Sequence, residues 1–480
     1  MEKSTTNPSR VKTIVRRTVF VLAVLVTLVA LLIAEEDWRG SRAWLNYKSA
    51  MEAKGERFDG ARLIPPKVPD DENFAACEYL NHSFAKSPAS PGWTDLNSNL
   101  HETFDLPRRP GWPYGLSEDL ALWATPYKGG VASGKLDPAQ ASAIVLDHLK
   151  VCEPVLEELR VASHRPYCRF NLPYEVLSGP SKEKAWDSTV QHLALVKGLF
   201  RVLALHAAAE LATGQSGQAL EDVNMMFRLE NGLKEEPLLM SQLVCYASTP
   251  LLLKPVAEGL AERRWSDEQL RTLQQQLGQM DLLSSTYRVF YGERDLLANP
   301  FFRGSSFIVR GWGHLEELNM NRAFQIALLP RINLARREVN PSVGLACDLV
   351  MTNFPQGIAS YINHSVMAAM LVPAFFRAPQ HASFAQTDID LLMVACALER
   401  YRLAEGNYPE QLAALAPRFI ATLPHDIING QPLKYRLSDN GRFVLYSVGW
   451  NEKDDGGVTA TNKDGGTDRL RGDWVLEYPN

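Results

Sequence analysis

Two clusters of residues in this chain have the types and spacing to do chemistry. The first is an acidic, glycine-rich stretch in which Asp454 and Asp455 are followed by Asp464, Asp468 and Asp473, with Gly456, Gly457, Gly465 and Gly466 between them. Calcium takes roughly six to eight oxygens, often carboxylates and carbonyls on a flexible loop, and these aspartates could supply several of them. The spacing is not that of an EF-hand, because no glutamate stands at the twelfth position. The plainer reading is a solvated loop, with glycines for turns and acids for solubility. The second cluster is His164, Arg165, Tyr167, Cys168 and Arg169. A cysteine nucleophile needs a base within reach, and neighbouring guanidinium groups would lower the thiol pKa. A loop between helices, its cations facing water or pairing with acids, would read the same way. Glu293 beside Arg294 poses a similar choice, between general-acid chemistry and an ion pair across helices.

Other signatures are missing from the chain. It contains no phosphate-binding loop, no dinucleotide fingerprint and no zinc-protease helix. His192 and His206 fall on nearly one helix face, but fourteen residues at ~1.5 Å each separate them by ~21 Å, too far to share a metal. The six cysteines include no CxxC pair, which leaves zinc and thioredoxin-type sites unsupported. Most of them read as small buried apolar residues, with one bridge such as Cys152–Cys168 as the alternative.

These residues sit on a chain of 480 residues, 46% hydrophobic and 22% charged, which is enough for real cores and excludes a disordered or fibrous protein. The net charge of -5 argues against nucleic acid as a partner. The average hides an asymmetry. Residues 1–17 carry Lys3, Arg10, Lys12, Arg16 and Arg17 against the single acid Glu2. Residues 18–34 follow with no charge, proline or glycine, and Glu35, Glu36 and Asp37 end the run. Seventeen residues span ~25 Å as a helix, at the short end for a bilayer. Cations before and acids after predict a single-pass anchor in the inner (cytoplasmic) membrane, with a cytoplasmic basic tail at 1–17 and the body in the periplasm or outside. A cleaved signal peptide is the rival, disfavoured by the large Leu32 where a small residue is wanted.

Residues 35–115 read as a juxtamembrane helix followed by a proline-rich extended segment, since Pro65, Pro66 and Pro69 force extended geometry. Residues 116–385 read as an irregular α-helical domain. Within it the run 366–376 contains Pro373, is too short to span, and reads as a buried segment. Ser266 is the expected N-cap of a helix from Asp267. Residues 386–480 change character. A helix with Leu391, Val394, Leu398 and Tyr401 on one stripe ends at Gly406, and two alternating runs, 432–437 and 442–448, flank Asn440-Gly441, a strong hairpin signal. Residues 474–478 can form a third strand. The fold class is therefore mainly α, with a small α+β C-terminal domain built on an antiparallel sheet.

The order of motifs in this last region is specific. Gly406, Asn407, Tyr408 and Pro409 are followed by Pro424 and Asp426, by Gly430, Pro432 and Tyr435, and by Leu445 to Gly449. Together they resemble the globular domain of the type II secretion major pseudopilin. The resemblance implies a long helix, a Tyr-Pro turn, a small antiparallel sheet and an acidic calcium-binding loop, here Asp454, Asp455, Asp464, Asp468 and Asp473. It covers about one fifth of the chain. The pattern departs from that family upstream: the apolar segment lies some 350 residues before the helix and lacks the processed start, so filament assembly is not implied. Residues 68–75 and 291–294 further resemble uncharacterised membrane-anchored bacterial proteins with the same ending, a resemblance that brings no activity with it.

The expected function is that of a non-enzymatic, membrane-tethered extracytoplasmic protein serving envelope assembly, secretion or the binding of an envelope partner. The alternative is an envelope hydrolase with an unfamiliar site in the helical domain, for which His164, Cys168 and Glu293 are the candidate catalytic residues. Calcium is the one cofactor considered.

Overall fold

The structure is a computed structural model that describes residues 8–82, 120, 137–174, 182–298, 302, 310–438, 441–463 and 466–477. Residues 1–7 of the basic tail and most of the proline-rich stretch after His82 lie outside the described residues. The first element is one unbroken helix, α1 (Pro8–Glu52), which joins the basic tail, the apolar run and the juxtamembrane segment. Its apolar portion is exposed except at the half-buried Ile33, as suits a helix compatible with a single membrane span.

A short helix α2 (Glu78–His82) precedes the body, which is built from α3 (Pro138–Leu149), α4 (Glu153–Ala162), α5 (Lys182–Ala212), α6 (Ser216–Lys234), α7 (Leu239–Ala261), α8 (Asp267–Gly278) and α9 (Leu282–Tyr291). Then come α10 (Arg310–Ala323), α11 (Pro341–Thr352), α12 (Ile358–Ile362), α13 (Val366–Leu371) and α14 (Ala378–Glu405). Local signals set many of the boundaries. Ser266 caps α8 with a full capping box, accepting from the Gln269 N–H while Gln269 reaches back to the Ser266 N–H. α14 stops at Gly406, whose φ of 86° suits a residue without a Cβ. Helix α7 tolerates Pro250 and Pro255. Preceding hydroxyls bond back along it, Ser248 to the Val244 carbonyl and Thr249 to that of Cys245.

After α14 the strands β1 (Lys434–Leu437), β2 (Phe443–Ser447) and β5 (Trp474–Glu477) form an antiparallel sheet in the order β1-β2-β5. The hairpin register pairs Lys434 with Tyr446 and Leu437 with Phe443. A second, two-stranded sheet of β3 (Thr459–Thr461) and β4 (Thr467–Gly472) had no distinct signal in the sequence.

The core is continuous. One cluster of buried apolar side chains runs from Phe74 to Leu476 and takes in α5, α6, α7, α8, α14 and the main sheet. The boundary expected at residue 386 falls inside α14. That helix packs against α7, α8 and α9 as well as against β2 and β5. A smaller cluster of Trp44, Phe58, Leu315 and Leu318 joins α1 to α10. There the helices cross at Gly40 and Gly311, where a Cβ on Gly311 would lie 2.0 Å from the Glu36 carbonyl oxygen. Only glycine permits so close a backbone approach. The run 366–376 corrects the expectation of a buried segment: Ala368, Val372 and Phe375 are buried, but Met370 and Leu371 face outward. A short amphipathic helix has two faces, and only one reaches the core. All six cysteines are free, so the Cys152–Cys168 bridge is not formed.

Candidate functional site

The densest chemistry among the described residues lies at the turn between α5 and α6. His206 and Glu210 are one helical turn apart on α5, and Asp222 comes from the facing turn of α6. His206 Nδ1 is 2.6 Å from Asp222 Oδ2 and 3.6 Å from Glu210 Oε1. One possible ligand atom from each of the three lies within 4.8 Å of the others, and all three side chains are buried. Glu210 Oε2 and Asp222 Oδ1 find no protein donor. Arg160 of α4, itself paired with Glu221 at 3.1 Å, supplies nearby positive charge.

The electrostatics follow from burial. Desolvation pushes the Glu210 carboxyl up to about 8, with Asp222 adding to the rise and His206 and Arg160 opposing it. Burial raises Asp222 as well, against its bond to His206. Burial works against the charged imidazole, yet the bond to Asp222 and the charges of Asp222 and Glu210 hold His206 above its usual value. An imidazole and two carboxylates at this spacing can hold a shared proton or a small cation. The His206, Glu210 and Asp222 side chains are only 9%, 6% and 0% exposed. Sequence reading passed over this cluster although the spacing of His206 and Glu210 was visible; Asp222 joins them only through the helix–turn–helix.

The sequence-derived candidates occupy three different surroundings. His164 is exposed. Cys168 turns its thiol against α6 at Gly232, and burial pushes its pKa well up, away from the thiolate that a nucleophile needs. The arginines beside it bind backbone instead of activating it: Arg165 donates to the carbonyls of Asp70 and Asn73, and Arg169 to that of Pro65. They strap the segment before α2 to the body. Glu293 is half-buried and accepts the Leu239 N–H at the start of α7 at 2.7 Å, with desolvation raising its carboxyl to about 7. Its neighbour Arg294 pairs with Asp295 at 2.7 Å and Glu56 at 3.2 Å, sandwiched between Phe58 and Tyr291.

In the acidic loop, each described carboxylate is engaged by protein donors. Asp473 is buried and accepts the backbone N–H groups of Asp455, Gly457 and Val458. Asp454 takes Lys434 at 3.1 Å and the Tyr446 hydroxyl at 3.1 Å, Asp455 takes Asn451, and Asp468 takes Arg471 and the Leu470 N–H. Asp464 lies outside the described residues. Asp426 is buried and accepts from Ile428 N–H, Val448 N–H and the Ser447 hydroxyl.

No family model, curated protein or solved structure matches the chain.

Proposed function

We propose that this protein is a non-enzymatic, single-pass extracytoplasmic protein of the inner membrane that holds a helical body at the bilayer surface for an envelope partner. The observation that carries the reading is the continuity of α1. Its apolar half is exposed, and its following half is built into the body. Asp37 accepts the Gly311 N–H at 2.6 Å, Glu36 meets His364 at 2.7 Å, and the Trp44–Leu318 cluster and the Arg294–Glu56 pair continue the junction. A flexible spacer would let the body wander; this junction fixes its orientation to the anchor. The cations before the apolar run and the acids after it support a cytoplasmic N-terminus. The helix, hairpin and third strand of residues 386–480 support a pseudopilin-like module, here sharing its helix with the body.

Crosslinking of the full-length protein in its native envelope, followed by purification, tests the proposal. Recovery of a defined envelope protein joined to the body supports it. Release of the intact chain by an alkaline carbonate wash, without a crosslinked partner, would sink it.

A further inference from the structure

We propose that the segment from α12 to α13 is a second membrane-contact surface, an apolar foot that rests in the bilayer interface beside the anchor. The proposal rests on the tethered reading above. No Asp, Glu, Lys or Arg occurs between Asp348 and Arg377. Ile358 is 81% exposed, Ile362 71%, Met370 69% and Tyr361 58%. Apolar residues scattered singly on a surface need no explanation, but several large ones on adjoining turns with no charge among them mark a contact.

The polar groups of this segment show which way it faces. Asn319 of α10 donates to the carbonyls of Asn363 and His364, and Glu316 accepts the N–H groups of Val366 and Met367. Trp312 packs edge-on to the His364 ring at 4.4 Å. The backbone of residues 363–367 is therefore satisfied inward, against α10, while the large aliphatic side chains of Ile358, Ile362 and Met370 stay exposed. A loop facing water would show the opposite arrangement.

Position identifies the occupant as lipid. His364 Nε2 lies 2.7 Å from Glu36 Oε1. Glu36 follows the end of the apolar run by two residues, which is ~3 Å of helix rise. Tyr361 and Ile362 stand two or three residues from His364, at most ~11 Å along the chain. The headgroup layer is roughly 5–8 Å deep on each side, so the foot lies within reach of it. Trp38, exposed on α1 one turn past the apolar run, and Tyr361 are residue types that favour that layer. A foot beside an anchor at the short end of spanning length would restrict tilt and rotation of the body.

The test reconstitutes the full-length protein in vesicles of phosphatidylcholine and phosphatidylglycerol, 3:1, doped with a phosphatidylcholine bearing a photoreactive acyl chain. Labelled peptides are then mapped by mass spectrometry. Labelling is expected in residues 18–34 and in 354–371, and not in 434–447. The double substitution Ile358→Asn and Ile362→Asn should lower the second labelling several-fold and leave the first unchanged; both side chains are exposed, so the fold should persist, with an unchanged melting temperature as the check. Labelling of 18–34 alone overturns the foot and leaves the tether standing. Labelling of neither overturns the tether itself. Chain-to-chain crosslinks through residue 362 in place of lipid adducts would assign the face to a second copy and overturn the proposal.

Discussion

Buried carboxylates in the helical body and in the C-terminal module meet opposite fates. In the module, Asp426 takes two backbone N–H groups and a hydroxyl, and Asp473 takes three backbone N–H groups. In the body, Glu210 and Asp222 rely on a histidine and on each other's proton, and Glu230 accepts side-chain donors, the Thr249 hydroxyl at 3.1 Å and the Cys245 thiol. Burial raises all of them, but it drives Glu210 and Glu230 as far as about 8. The difference lies in backbone supply. Helix interiors consume their N–H groups four residues away, whereas turns and strand ends leave them free to bind a carboxylate. Glu293 is the intermediate case: it sits at a helix start and accepts one free N–H, and its carboxyl rises only to about 7.

If this contrast is right, removing a module carboxylate costs most. Asp426→Ala strands three donors, two of them backbone, and at 1–3 kcal/mol for each unsatisfied group it should destabilise by about 4 kcal/mol. Thermal or urea unfolding reads this, and a loss below ~1 kcal/mol would break the comparison. Asp222→Ala removes the closest partner of His206 and should cost roughly 2–3 kcal/mol. Metal analysis of the purified wild-type protein sharpens the same site: a stoichiometric divalent ion lost on Asp222→Ala identifies a cation, and its absence a shared proton.

The pH response follows from the direction of the shift. Glu230 is raised from 4.5 to about 8 by burial, so the folded state keeps a proton that the unfolded chain releases. That contribution is fully present below pH 4.5 and is lost as pH rises to about 8. Since one pKa unit corresponds to ~1.4 kcal/mol, Glu230→Gln should be more stable than wild type at pH 8 by at least that amount and equal to it at pH 4.5. A parallel pair of stability curves would contradict the assignment. The smallest effect belongs to the exposed pair of Lys434 and Asp454 at 3.1 Å, where Lys434→Ala should change stability by ~0.5 kcal/mol or less.

Local patterns in the chain were enough to place several elements. The apolar run 18–34 lies on a helix, Ser266 is an N-cap, Gly406 ends α14, and the alternating runs on either side of Gly441 form paired strands. Each depends on neighbours within a few residues. The acidic stretch read as a loop, but it contains β3 and β4, with Asp468 on β4, and its described carboxylates are engaged by donors that include Lys434, Tyr446 and nearby N–H groups. The His164–Cys168 cluster was legible as a group of reactive types, yet its arginines turned to the carbonyls of residues 65–73.

What the chain determined by itself was therefore the identity of the strongly patterned helices, the charge asymmetry about the apolar run and the hairpin, because these arise from periodicity and short-range geometry. Tertiary structure alone decided which acid met which partner. Asp222 reaches His206 across a turn, Arg294 reaches Glu56 across more than two hundred residues, and Glu36 reaches His364 across more than three hundred. The same packing set α14 inside the body and left Ile358 and Ile362 outside it. Burial and hydrogen-bond supply belong to the three-dimensional neighbourhood, and no spacing along the chain encodes them.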